Sequence, residues 1–424
     1  MNRFKFVILG GGMVAGYAAR EFVARGVKKD ELAIVSAESE PPYERPPLTK
    51  DFLADPNASA DGILINPREF YEKNGVRLLT ERRVEEVDLP NRRLLGRDKR
   101  QVIEYENLVI ATGCQVRELD CHGYDLKGVY YIRSIEDSSR LRSRLEEVEN
   151  AVVVGGGFIA LEVAATLARR GLEPTVVFRG DRLLRHVFSD DIAGFIEGPF
   201  KERGVRFQRN DAVASLGGLG RVREVKLESG EILRADAVVA GIGVQPSTRL
   251  FDGSRLKVGD GVLVNEFLET NLEGVFAAGD VARYRDQLFD TTRRVEHWDN
   301  AVAQGQYLAR RMTGLREPFL RVPHFFSDMF DLSFEFWGDA SGADRKVVRG
   351  SIEDGRFSAW WLKGCRVVAA FILNRPEEER EWAQKLISRQ QEVAVDLLQD
   401  ESSPLSAMNS SGSDYHEDVD SKPV

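Results

Sequence analysis

Gly10-Gly11-Gly12-Met13-Val14-Ala15 follows an apolar run at residues 4–9 and opens a helical stretch at 14–24. Strand, glycines and helix in that order form a dinucleotide-binding βα unit. Gly10 permits the tight turn, Gly12 lets the backbone approach a pyrophosphate at the helix N-terminus, and small Ala15 lets helix and strand pack closely. Alone, the match also suits an ordinary strand–turn–helix connection. Glu38, past the second apolar run at 32–35, adds support. It lies more than about 20 residues beyond the loop, where a carboxylate accepts hydrogen bonds from a ribose diol. An isolated loop acid looks the same.

The pattern recurs. Gly155-Gly156-Gly157-Phe158-Ile159-Ala160 sits between an apolar run at 150–154 and a helical stretch at 159–169. Two further matching segments follow in the same order, one ending in Ala111-Thr112-Gly113 and the other in Gly241-Ile242-Gly243. This is an internal repeat of whole domains, and the continuous apolar runs suit parallel sheets covered on both faces. After the run at 175–177 the expected acid is replaced by Phe178, with Arg179, Arg182 and Arg185 close behind. A missing acid plus guanidinium groups accommodates a 2′-phosphate, so this half favours NADPH, with NADH possible. Arginines that merely solvate a loop are the other reading. The candidate NADPH-binding residues are Gly155, Gly157, Phe158, Ile159, Glu162, Arg179, Arg185 and Gly243.

Two dinucleotide sites in one chain call for a reaction between two dinucleotides. Hydride transfer from a nicotinamide to a flavin fits, because a flavin then releases electrons singly. Gly279-Asp280, after an apolar stretch at 275–278, places a carboxylate against the ribityl and pyrophosphate region of FAD.

The chain has 424 residues, 42% hydrophobic and 30% charged, which describes a globular protein of several domains. Acids outnumber bases 68 to 59, for a net charge of −9, which argues against a nucleic-acid partner. Three scattered cysteines, Cys114, Cys121 and Cys365, build no disulfide framework and point to a reducing, cytoplasmic setting. No apolar run approaches the roughly 18 residues that span a bilayer. The five histidines are dispersed and suggest no metal site.

The expected fold class is α/β: two Rossmann-like dinucleotide-binding domains of glutathione-reductase type plus a C-terminal α+β domain. Residues 1–115 and 246–320 form a discontinuous FAD-binding domain and 116–245 the NAD(P)H-binding domain. Residues 321–398, with strands near 332–337, 357–362 and 366–373 and a helix at 376–389, form the C-terminal domain. Residues 399–424, rich in Ser, Asp and Glu, read as a disordered acidic tail.

The two glycine loops, Ala111-Thr112-Gly113 and Ala278-Gly279-Asp280 together resemble FAD-dependent pyridine-nucleotide oxidoreductases of the glutathione-reductase fold. Pro42-Tyr43-Glu44-Arg45-Pro46-Pro47-Leu48-Thr49-Lys50 and Arg294-Val295-Glu296-His297-Trp298-Asp299-Asn300-Ala301 resemble the branch containing ferredoxin reductases, apoptosis-inducing factor and monodehydroascorbate reductase. The likeness to monodehydroascorbate reductase runs from about residue 3 to residue 390. The resemblance implies an FAD-dependent NAD(P)H:acceptor oxidoreductase, with FAD held by Gly10, Gly12, Ala15, Glu38, Arg45, Lys50, Ala111, Thr112, Gly113, Gly279, Asp280 and Trp298. It implies a catalytic set of Lys50 near the flavin edge, Glu162 facing the nicotinamide, and Glu296, His297 and Trp298 opening a helix aimed at the flavin. Trp298 is either a relay aromatic or a packing residue.

Two departures bear on the acceptor. In the plant monodehydroascorbate reductases an Arg in this helix and a Tyr in the C-terminal domain hold the ascorbyl radical; Val302 and Phe326 take their places here. The expected function passes electrons from nicotinamide via flavin to a one-electron acceptor, a small molecule or a small redox protein, in the manner most similar to monodehydroascorbate reductase. Ferredoxin, rubredoxin or quinone reduction is the alternative, and a redox-gated interaction protein like apoptosis-inducing factor is a different class. A monomer or a homodimer fits either. No cysteine precedes Cys114, so the dithiol chemistry of the disulfide-reductase relatives is excluded.

Overall fold

Val7, Ile8, Leu32, Ala33 and Ile34 are fully buried, as continuous apolar runs must be when a strand is covered on both faces. They belong to Asn2–Leu9 and Leu32–Val35, which pair in parallel, Leu9 opposite Val35. The computed structural model describes residues 2–97, 102–185 and 187–408. Contacts divide the chain into two units, Met1–Ser333 and Phe334–Val424.

The first unit contains two parallel sheets built alike. One runs Arg77–Leu79, Leu32–Val35, Asn2–Leu9, Val102–Ile110, with Val275–Ala277 also parallel to Val102–Ile110 and an antiparallel pair, Arg93–Leu95 and Glu86–Asp88, on the edge. The other runs Arg206–Arg209, Thr175–Phe178, Ala151–Val154, Ala237–Ala240, Val129–Tyr130. Each central strand delivers its glycine loop to a helix, Met13–Ala24 or Phe158–Arg169. The first helix buries Val14, Ala15, Ala18, Ala19 and Phe22. Burying a Val or Phe side chain contributes roughly 1.5–3 kcal/mol.

The chain passes between these two sheets twice. Both passages lie side by side, Cys114–Val116 antiparallel to Val244–Pro246, with Val244 opposite Val116 and Pro246 opposite Cys114. A helix, Trp298–Met312, then follows and buries Ala301, Gln304, Tyr307 and Leu308.

The second unit is an antiparallel sheet in the order Leu332–Gly338, Arg366–Leu373, Arg356–Lys363, Arg345–Ser351, with the helix Glu377–Arg389 packed on it. Trp360 is fully buried while Trp361 is only partly so, because neighbours on a strand face opposite ways. The expected disorder from residue 399 is corrected over residues 399–408. Arg349, itself buried, donates to the carbonyls of Leu398 (3.5 Å), Asp400, Glu401 (3.3 Å) and Ser403 (2.9 Å). Leu405 and Met408 are buried as well. A polar segment is ordered here because a buried guanidinium needs its carbonyls; composition alone does not register that. The rest of the expected tail, 409–424, lies outside the described residues.

Candidate active site

The carboxyl ends of parallel strands, at the point where their order reverses, are where dinucleotides bind. There the first unit opens a cavity of about 1220 Å³. Gly10 has a φ of +128°, and a Cβ added to it would meet the Ala111 carbonyl oxygen at 2.1 Å, so only glycine fits. At Gly12 an added Cβ meets nothing within 4 Å: the loop faces open space at the N-terminus of a 12-residue helix. That is a cradle for a phosphate group.

Most of the sequence-derived candidates meet in this cavity. Gly10, Gly12, Glu38, Arg45 and Lys50 line one part of it, and Ala111, Thr112, Gly113, Gly279 and Asp280 another. Gly157, Phe158, Ile159, Glu162 and Gly243 come from the second sheet's loops, and Glu296, His297 and Trp298 close it. Ala15 lies beneath the loop, fully buried. Gly155 repeats the role of Gly10, with a Cβ position 2.3 Å from the Gly241 carbonyl oxygen, and does not line the space. Arg179 and Arg185 are also absent from the lining. Arg179 extends into solvent, 81% exposed, with Glu228 3.9 Å away.

Cations and carboxylates alternate along the wall. Glu38 accepts from the Arg45 guanidinium at 2.6 Å and from the Tyr43 hydroxyl. Arg45 also donates to the Arg133 carbonyl, and the Arg133 side chain donates to Asp280 at 3.0 Å. The Asp280 turn is fixed from behind. Gly279 N–H donates to the Gln304 side chain at 2.7 Å, and the Asp280 carbonyl accepts from Arg294 at 3.2 Å. Cys114 contacts the same carbonyl at 3.4 Å, and burial pushes its thiol up to about 12. It is a packing residue, not a nucleophile.

Across the cavity, Glu162 accepts from Thr49 (2.6 Å) and Ser327 (2.8 Å), with Lys50 Nζ 3.4 Å away. Lys50 lies between Glu162 and the more exposed Asp328, 3.3 Å from the latter. His297 caps the helix Trp298–Met312: its Nδ1 accepts from Asp299 N–H at 3.3 Å, and its Nε2 lies 3.3 Å from the Phe326 N–H and 3.4 Å from the Phe326 carbonyl. Burial, with the nearby His324 adding, pushes this imidazole down to about 4, so it is neutral. Burial alone would raise the Asp299 carboxyl, but hydrogen bonds from His324 and Arg321 hold it below the usual range. Trp298 Nε1 donates to Glu44 at 2.5 Å. Glu296 pairs with Arg294.

Sequence reasoning missed Arg133, Glu44, Ser327 and Asp328. Arg133 stands just before Ser134-Ile135-Glu136-Asp137, a capping box that was readable and fixes where the following helix begins. The other three carry no local signal. Among the described residues no cluster of three or more His, Cys, Asp or Glu could hold a metal ion, and no helix is long and apolar enough to cross a membrane.

A phosphate cradle, flanking arginines and a dinucleotide-sized cavity shared by two glycine loops define a flavin- and nicotinamide-dependent oxidoreductase. Residues 4–305 match the pyridine nucleotide-disulphide oxidoreductase family, and residues 324–409 match the reductase C-terminal domain. The chain belongs to the pyridine nucleotide-disulphide oxidoreductases. It is an FAD-dependent NAD(P)H oxidoreductase of the monodehydroascorbate reductase-like kind. It is 34% identical to the monodehydroascorbate reductase seedling isozyme of Cucumis sativus, over 93% of this chain and 96% of that one. Identity to the Solanum lycopersicum monodehydroascorbate reductase is also 34%, over 94% and 97%. Among solved structures, a ferredoxin reductase from Rhodopseudomonas palustris superposes with a TM-score of 0.90 at 30% identity, covering 96% of this chain and 99% of that one. Putidaredoxin reductase, in its covalent complex with putidaredoxin, gives the same TM-score and identity over 96% and 98%.

Proposed function

We propose that this oxidoreductase carries electrons from NADPH to a small redox protein that meets the cavity at Trp298 and Phe326. When bound, the flavin supplies the conversion from hydride in to single electrons out. One NADPH then serves two one-electron acceptor molecules. In this reading the Gly12 loop, Arg45 and Arg133 hold the FAD pyrophosphate, while Asp280 faces the ribityl chain. Glu38 orients the ribose end, its carboxylate kept in place by Arg45 and Tyr43.

Lys50 presents a positive charge where the ring gains electrons, which favours the reduced state electrostatically. Glu162, immobilised by Thr49 and Ser327, fixes the nicotinamide side. The neutral His297 leaves the positive end of its helix as the field acting there. Arg179 is the cation available to a 2′-phosphate, because its guanidinium is exposed and its acidic neighbour is 3.9 Å off.

The observation that carries the choice of acceptor is the composition of the Trp298 wall. Phe326 lines the cavity and packs edge-on against Trp298, ring centroids 5.8 Å apart, while Val302 stands behind the lining, packed against the core. Neither side chain hydrogen-bonds an enediolate oxygen. The structural likeness to ferredoxin and putidaredoxin reductases supports the same choice. The sequence likeness to monodehydroascorbate reductases favours ascorbyl radical as a second reading. An anaerobic titration of reduced enzyme against ferredoxin, ferricyanide, quinones and ascorbyl radical separates them. Ferredoxin should react well ahead of ascorbyl radical; ascorbyl radical reduced as fast as ferricyanide overturns the assignment.

A further inference from the structure

Glu44 lines no part of the cavity, yet its carboxylate is shared by two aromatic donors. Trp298 Nε1 donates to Oε2 at 2.5 Å and Tyr17 OH donates to Oε1 at 2.6 Å. The two rings meet edge to face, centroids 6.1 Å apart at 86°. Trp298 also meets Phe326 edge to face, ring centroids 5.8 Å apart. Trp298 lines the cavity, whereas Glu44 and Tyr17 stand behind it. All three are half-buried, so neither carboxylate oxygen is left to water alone. A charge-assisted bond to the indole N–H is roughly twice as strong as a neutral one and fixes direction as well as distance.

An indole hinged only at its Cβ has several rotamers open to it about two torsions. Here its nitrogen is anchored to a residue of the Pro42–Lys50 stretch and its ring edges are set by Tyr17 and Phe326. The consequence is a fixed aromatic edge at the cavity rim. We propose that Glu44 is a positioning residue for electron exit: it locks the Trp298 indole in the orientation that the acceptor meets. This rests on the proposed function, since it assumes that electrons leave past Trp298. The partner it suits is a redox protein presenting an apolar contact at its own cofactor, because the anchored indole shows the rim its carbon edge while its N–H points away to Glu44.

The test uses the FAD-loaded full chain labelled with 5-fluorotryptophan, the Trp298 ¹⁹F resonance being assigned by its loss in Trp298→Phe. Glu44→Ala should shift or broaden that resonance, and Glu44→Gln should restore it in part; Tyr17→Phe, a smaller change, guards against a folding defect in Glu44→Ala. In stopped flow, the ratio of the flavin reoxidation rate by ferredoxin to the reduction rate by NADPH should fall about tenfold in Glu44→Ala. In a Trp298→Phe background the same substitution should change the ratio less than twofold. An unmoved resonance, or losses that simply multiply in the double variant, overturns the proposal. A moved resonance with an unchanged ratio also overturns the exit role, and it does so by refuting the exit route while leaving the Glu44–Trp298 bond intact.

Discussion

Lys50 Nζ lies 3.4 Å from Glu162 Oε1, an ion pair joining the segment after the first glycine-loop strand to the helix of the second. Both side chains are almost wholly buried, 12% and 9% exposed, and Glu162 also accepts from Thr49 and Ser327. The two dinucleotide halves are thus registered against each other at the cavity, where the proposed function has hydride pass.

Glu162→Ala should therefore slow hydride transfer by up to about a hundredfold, the cost of a misplaced reacting partner. It should also lower stability by roughly 1–3 kcal/mol, because the buried Thr49 and Ser327 hydroxyls lose their acceptor. Glu162→Gln, which keeps one acceptor oxygen, should lose less of both. Stopped-flow flavin bleaching by NADPH and thermal melts check this, and an Ala variant with wild-type hydride transfer would remove Glu162 from the nicotinamide side.

Asp280→Lys should give protein with little or no yellow colour. Arg133, 3.0 Å from the carboxylate, would then face a like charge, and the wall to which the proposed function assigns the ribityl chain would be disrupted. The ratio of flavin to polypeptide after purification is the readout. Full retention of FAD counts against the placement of Asp280.

Arg179→Ala should raise KM for NADPH about tenfold while changing KM for NADH little, the size expected when one charge-assisted contact to a phosphate is lost. Equal effects on both coenzymes refute a phosphate-binding role for this arginine.

Stability should fall on mild acidification because of His297. Its folded-state value is about 4, below the roughly 6.5 of an unfolded histidine. The unfolded chain thus binds more protons between those values, and the contribution present above pH 6.5 is lost as pH falls toward 4. From pH 7.5 to 5 the loss is about 2 kcal/mol. A proton at Nδ1 would also oppose the Asp299 N–H that this atom caps. His297→Asn, which retains a capping acceptor, should flatten the dependence of the melting temperature on pH over this range. An unchanged slope shows that another group is responsible.

Truncation after Leu398 should lower the melting temperature of the second unit by more than about 10 °C, with truncation after Met408 as the reference. The shorter chain strips the Arg349 guanidinium of the Asp400, Glu401 and Ser403 carbonyls and loses the burial of Leu405 and Met408. Arg349 keeps Glu379 at 3.0 Å and the Leu398 carbonyl, so the lost burial of two apolar side chains is the larger part, worth roughly 3–6 kcal/mol. Identical melting curves for the two truncations would show that the segment does not contribute.

The sequence by itself determined the two glycine loops, the strands that feed them, the strand-end turn at Gly279-Asp280 and the lack of dithiol chemistry. Each of these is a local pattern: a φ that only glycine adopts, an apolar run that only a doubly covered strand requires, or a cysteine that is simply missing. Tertiary structure alone decided that Arg133 answers Asp280, that Ser327 and Thr49 hold Glu162, that Glu44 anchors Trp298, and that Arg349 gathers the segment read as disordered. Those partners come from distant parts of the chain, and what selects them is the cost of burying a charge or hydroxyl without a counterpart. That cost arises only once the backbone has brought the groups together, so no spacing along the chain announces it.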